Sequence, residues 1–359
     1  MKKLIILLCL IFLTSGCYDY VELNNLSIIS GISIDYIDDK FLVGYEILNE
    51  QKQGSDATTK GTIIVEGKGK NIAEAFLNTA KETQKKPYYA HLKTLIISEE
   101  VATNKLESII DFFLRNTDIR SEFNTVIAKD TDALDMLSSN NKNQPVISDL
   151  IESLLNSNKY YKNNTSTAPF EEIVTDILIY GNEAEMAVIE KDGNTLSVSG
   201  IGIFNEYKLQ GILTPEESIT YNVLTGNALN ASYTTSCDSD SITLGIYKSK
   251  PEIKVTNNNI DINLKLFGSV IESNCNYNFK DTKTYEKLNK EYSKIIKDKI
   301  YDFINTTKML NSDILGIRRT YYIDSRKKDE NIWKNAKYNV NVDLKINKKG
   351  LIFEVHNDN

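Results

Sequence analysis

Hydrophobic periodicity changes character once along this chain, and that change restricts the fold more than any other feature. Up to about residue 183, short apolar, β-branched runs alternate with segments of helical spacing; from Glu185 the period is mainly two. In the first half, residues 28–35 and 41–48 read as a hairpin around the polar turn Ile37-Asp38-Asp39-Lys40, and residues 62–66 as a third strand. Asn71 with Glu74 three residues on predicts a capped helix bearing Ile72, Ala75, Phe76, Thr79 and Ala80 on one face. Residues 95–97 predict a buried strand, and Leu106, Ile109, Ile110, Phe113 and Leu114 recur at helical spacing. A strand at 125–128, short helices at 132–137 and 146–155, and an amphipathic helix from Phe170 to Leu178, stopped by Gly181, complete this half. The polar stretch 160–167, rich in Asn, Thr and Ser, reads as a linker.

In the second half, residues 186–189, 197–204 and 209–213 predict a three-stranded meander. Thr214-Pro215-Glu216-Glu217 combines an N-cap, a first-turn proline and two acids, and so opens a short helix. Strands are expected at 241–247, 253–256 and 260–267, and then the longest helix, over about 284–306. Its stripe is Tyr285, Leu288, Tyr292, Ile295, Ile296, Lys299 and Phe303. Alternation of Val340, Val342, Leu344 and Ile346 with polar residues, followed by residues 351–355, predicts a closing strand pair in a sheet with one face to solvent. The expected class is α+β and multi-domain: mixed sheets with packed helices, the C-terminal part a mostly antiparallel sheet with one long helix. The expected division is a leader over 1–16, an N-terminal α/β region over 17–183 with room for two subdomains, and a C-terminal sheet-plus-helix domain over 184–359.

The leader decides where such a chain would work. Lys2 and Lys3 precede an unbroken apolar run from Leu4 to Leu13, and Thr14-Ser15-Gly16 lead to Cys17. Ten apolar residues are too few for a bilayer span, which needs about 20, whereas a charged start, an apolar run and small residues form an export signal. Small residues ahead of a cysteine mark a bacterial lipoprotein: the Cys17 thiol takes a diacylglyceryl group and cleavage after Gly16 makes it the new N-terminus. Two long acyl chains, at about 0.8 kcal/mol per buried methylene, hold a protein to a membrane almost permanently. Losing residues 1–16 removes two lysines and leaves 40 basic against 49 acidic residues, a formal charge of −9. Such a surface argues against nucleic acid and against attraction to anionic lipid, so the anchor must hold alone. Of four cysteines, Cys237 and Cys275 remain and could pair in an oxidising compartment.

Catalytic patterns are missing from the sequence. There are two histidines, His91 and His356, and no HExxH, CxxC, GxSxG or phosphate-loop motif. Gly200 and Gly202 lie in an apolar strand pattern with Asn205 where a dinucleotide fingerprint wants a third glycine, so close backbone packing explains them better. Asp238 and Asp240 suit a polar loop more than a cation site, and His91, between tyrosines and a buried strand, suits a hydrogen-bonded structural role. No enzyme activity, cofactor or metal is expected.

The ordered segments resemble the Ger(x)C family, the lipoprotein C subunits of bacterial spore germinant receptors. Residues 18–26 after the cysteine, then Gly31-Ile32-Ser33-Ile34-Asp35, are similar to its N-terminal signature. Ala73-Glu74-Ala75, Tyr89-Ala90-His91-Leu92-Lys93, Ile96-Ile97-Ser98-Glu99 and residues 112–120 with Arg115 and Arg120 continue it. Ser199-Gly200-Ile201-Gly202-Ile203-Phe204 with Lys208-Leu209-Gln210-Gly211 looks like the family's strand-turn-strand block, and Asp313-Ile314-Leu315-Gly316, Trp333 and residues 339–350 like its last. Tyr18 stands where Trp is common, and the region of Trp333 is abbreviated. The resemblance implies a non-catalytic lipoprotein on the outer face of the spore inner membrane. It would assemble there with an A subunit and an integral-membrane B subunit to respond to small germinants. Two rivals are a solute-binding lipoprotein of a transporter, which needs two similar lobes around a cleft, and a cell-envelope hydrolase, which needs a buried carboxyl pair in a cleft.

Overall fold

A computed structural model describes residues 25–53, 57–139, 144–237, 240–256 and 258–347. The leader with Cys17, and the strand expected at 351–355, lie outside the described residues. β1 (Leu26–Ile37) and β2 (Lys40–Gln53) form the expected hairpin, and β3 (Ala57–Gly69) pairs antiparallel on its far side. Asp38 and Asp39 take φ of 51° and 58°, the left-handed pair that a two-residue hairpin loop demands and that short polar side chains tolerate. β4 (Lys86–Tyr88) and β5 (Thr94–Ser98) run parallel to β1, β6 (Asn124–Lys129) parallel to β5, and β7 (Glu185–Asp192) parallel to β6. β8 (Thr195–Asn205) and β9 (Lys208–Leu213) then add antiparallel, closing a nine-stranded mixed sheet.

Helices cover both faces, which is why the central strands are buried almost throughout. On one side, α1 (Ile72–Lys81), α2 (Glu99–Asn104), α3 (Leu106–Arg115) and α6 (Phe170–Leu178) bury Phe76, Val101, Ile110, Phe113 and Phe170 against Ile32, Ile34, Val43 and Tyr45. On the other, α4 (Ala133–Leu137) and α5 (Ile147–Tyr161) pack Met136, Ile147 and Ile151 on Ile96, Val126 and Ile189. A Cβ on Gly31 would stand 3.0 Å from Leu137 Cδ1, so this second layer lies close to the sheet.

The second part has a four-stranded sheet in the order β10 (Ala231–Cys237), β11 (Asp240–Val255), β12 (Asn259–Ser273), β13 (Lys337–Ile346). Its first two pairs are antiparallel and the last is parallel. α7 (Pro215–Leu224) opens on the capping box of Thr214 and Glu217, and α8 (Thr282–Met309) lays Leu288, Tyr292, Ile296, Ile300 and Phe303 on the sheet. α9 (Ile317–Ser325) and α10 (Ile332–Asn335) follow.

The structure adds to the expected outline at four points. Strands 185–213 join the first sheet, so the division expected at 183/184 does not fall between sheets: period two reports a strand but not its partner. β8 and β9 even serve two cores, since Ile201, Ile203 and Leu213 pack with the second part while Phe204 and Leu209 pack with the first. The strands expected at 241–247 and 253–256 are one, β11, with two register shifts against β12. β13 lies parallel beside β12, the last strand of this sheet among the described residues. Finally, residues 160–167 are no linker: α5 runs to Tyr161, and Asn163, Asn164, Thr165 and Ser166 are all at most 5% exposed.

Candidate functional site

Two polar constellations mark the seam between the parts, and local sequence pointed to neither. The first begins with Glu183, just before β7, and Asp313, just after α8, both buried. Arg318 at the start of α9 lies between them, its Nη2 2.5 Å from Glu183 Oε1 and its Nε 3.4 Å from Asp313 Oδ2, while Nη1 reaches Glu330 at 2.8 Å. Asp313 also accepts the backbone N–H groups of Ile317 (3.0 Å) and Arg318 (2.7 Å), capping α9. The Ser312 hydroxyl lies 2.6 Å from Glu183 Oε2 and 2.9 Å from the Phe204 carbonyl. Burial pushes both carboxyls up to about 7 against the pull of Arg318. Gly181 takes φ of 82°, and a Cβ there would collide with the backbone of Arg319, so the two parts touch main chain to main chain. The carboxyls are thus occupied in holding backbone and arginine, and the constellation is a clamp.

The second lies behind the inward-folded connection between α5 and α6. A polar cavity of about 260 Å³ is lined by Asn163, Ser166, Glu185 and Asn222, with Lys159 and Glu172 at its exposed rim. Asn222, on α7, donates from Nδ2 to the carbonyls of Asn163 (2.9 Å) and Thr165 (3.1 Å). Burial pushes the Glu185 carboxyl up to about 8; the Ser166 hydroxyl opposes this, and Asp176 and Glu172 add to it. The pieces come from α5, α6, β7 and α7, so no contiguous motif could have shown them.

Residues weighed from sequence fall elsewhere. Cys17 and Asp238 lie outside the described residues, as does His356. His91 is exposed, its ring edge-on to Tyr88 at 6.0 Å, rather than built into the interior. Asp240 is exposed at the start of β11. A Cβ on Gly200 would strike the Leu213 carbonyl, and one on Gly202 would come within 2.6 Å of Ile127 Cδ1, so both glycines serve close packing. Cys237 and Cys275 form a disulfide, with Cα atoms 6.0 Å apart. Among the described residues, no three His, Cys, Asp or Glu side chains are grouped to hold a metal ion, and no helix is long and apolar enough to cross a membrane.

Comparison with known proteins agrees across the whole chain. The family described as "Spore germination protein N-terminal domain" matches residues 19–191, and that described as "Spore germination B3/ GerAC like, C-terminal" matches residues 199–350. The boundary between them falls at the β7–β8 hairpin, so the large sheet crosses it. "Spore germination protein GerQC" of Bacillus cereus is 21% identical over 98% of this chain and 99% of its own length. "Spore germination protein KC" of Bacillus subtilis (strain 168) is 24% identical over 89% and 86%. A solved structure titled "Crystal Structure of the GerBC protein" superposes with a TM-score of 0.54 at 18% identity, covering 91% of this chain and 99% of that one. The α+β multi-domain fold is therefore shared.

Proposed function

Because the chain belongs to the spore germination family of germinant-receptor C subunits, whose two domains match it in order from residue 19 to residue 350, we propose that it is a lipid-tethered, non-catalytic receptor subunit. It would be held through Cys17 on the outer face of the spore inner membrane, where it assembles with an A subunit and an integral-membrane B subunit in germinant-triggered germination. One observation carries this reading: the family match begins two residues after the cysteine that ends a charged, apolar, small-residue leader. With a formal charge of −9 the chain past Gly16 gains nothing from anionic headgroups, so the tether supplies the membrane affinity and raises the effective concentration for weak lateral contacts. The folded body then acts through protein surfaces.

The test is Cys17→Ala in spores. The protein should move from the membrane fraction to the soluble fraction and germination should be lost; receptor assembly and germination at parental levels would overturn the tethering mechanism.

A further inference from the structure

The cavity behind the α5–α6 connection is more than a gap under a loop. Its inner wall consists of side chains almost sealed from solvent: Asn163, Ser166 and Asn222 are 1%, 4% and 4% exposed. The loop is held around it by main-chain acceptors, because Asn222 spends its amide protons on the carbonyls of Asn163 and Thr165. Asn163 itself sits at a left-handed φ of 54°, and its side-chain Nδ2 has no hydrogen-bond partner; nor has Oδ1 of Asn164 beside it. Buried amides left unpaired are costly and rare, and the one on Asn163 calls for a partner that the protein itself does not supply.

Acidic groups outnumber basic ones around the cavity. Glu185 opens β7 at the cavity wall, where Glu172 and Asp176 from α6 raise its pKa further and the Ser166 hydroxyl lowers it. On α5 the opposing charge is Lys159, exposed at the rim, where its ammonium donates to Thr167 Oγ1 at 2.7 Å; α7 contributes Asn222 and no charge to the lining. The cavity therefore offers a half-buried carboxyl that a cation would ionise and a buried amide without an acceptor. A volume of about 260 Å³ is that of roughly eight water molecules at ~30 Å³ each.

The geometry points to a binding site for a small hydrophilic organic cation, with its primary ammonium on the Glu185 carboxyl and an oxygen acceptor on the free amide of Asn163. Without such a cation, burial and the neighbouring acids keep Glu185 protonated up to about pH 8. An ammonium at the carboxyl favours the ionised form, so binding releases that proton to solvent. This site lies within the folded chain and is tested without membrane or partner, so its failure would leave the tethering reading standing.

The probe is ethanolamine, titrated calorimetrically into the full-length chain at about pH 7, with the heat compared in two buffers of different ionisation enthalpy to count protons. Glycerol serves as the neutral analogue and glycolate as the anion. Ethanolamine should bind at one site with release of a proton, and glycerol and glycolate should bind at least about tenfold more weakly. Glu185→Gln, close in shape, and Asn163→Gly, which suits the left-handed backbone, should each weaken ethanolamine by a similar factor while keeping the thermal transition of the parent. No heat from ethanolamine at millimolar concentration, equal binding of glycerol, or undiminished binding by folded Glu185→Gln would each overturn the proposal. If either variant fails to fold, the three-ligand comparison and the proton count on the parent chain decide it.

Discussion

Buried carboxyls placed against helix ends recur at the residue scale. Asp35 reaches from β1 to accept the N–H groups of Ala133 (2.7 Å) and Leu134 (2.9 Å), starting α4. Glu46 reaches from β2 to the N–H of Ile147 (2.6 Å) and to the hydroxyls of Ser148 (2.6 Å) and Ser30 (2.8 Å), starting α5. Each satisfies donors that a helix cannot pair for itself, and each sits in the favourable end of the helix dipole. Even so, burial dominates: Asp35 is pushed up to about 6, and Glu183 and Asp313 to about 7. These groups keep protons in the fold that the unfolded chain releases near its ordinary values of 3.8 and 4.5. Folding thus takes up protons across that window, and stability falls as pH rises from about 4.5 to about 7, by up to about 1.4 kcal/mol per pH unit for each group. Urea midpoints measured at both ends of the window should show the fall, and Glu183→Gln should flatten it; an unchanged slope in that variant would mean that Glu183 is ionised throughout.

Among the elements, α8 shows how a weakly apolar helix is held. Its polar face is highly charged, and one stripe carries the packing, with Tyr292 donating to the Ile242 carbonyl at 2.8 Å. Deleting a fully buried branched side chain removes transfer free energy and leaves a cavity. Ile296→Ala should therefore destabilise by about 2–5 kcal/mol, whereas Lys297→Ala, one residue on and exposed, should stay within about 0.5 kcal/mol. Equal effects in denaturant unfolding would show that the helix is not docked through this stripe. Local chemistry made this element legible in advance, along with the Asn71 cap of α1 at 2.9 Å and the Thr214–Glu217 box of α7. The partner of β13 was not legible, because alternation fixes a strand's two faces and is silent about its neighbours and their direction.

For the whole molecule, the decisive feature is that the two parts are stitched at several levels. β8 and β9 lie between two cores, the Glu183–Arg318–Asp313 clamp ties α9 to the chain entering β7, and the Cys237–Cys275 bond fastens β10 to the chain leaving β12. That bond closes a sequence separation of 38 residues, for which the loop-entropy relation gives about 3–4 kcal/mol of stabilisation. Replacing both cysteines by serine should lower the unfolding free energy by up to that amount, read from urea denaturation under non-reducing conditions; no change would mean that the thiols do not pair in the native chain. By itself the sequence determined what depends on near neighbours: the strand and helix periods, the caps, the Asp38-Asp39 turn and the ordered blocks that identify the family. Only the tertiary structure decided that residues 163–166 are buried, that strands 185–213 belong to the first sheet, that the two cysteines meet, and that Asp35 and Glu46 cap helices about a hundred residues downstream. The physical reason is range: propensity and capping act over a few residues, whereas burial and pairing are set by surfaces that meet only when the whole chain has folded.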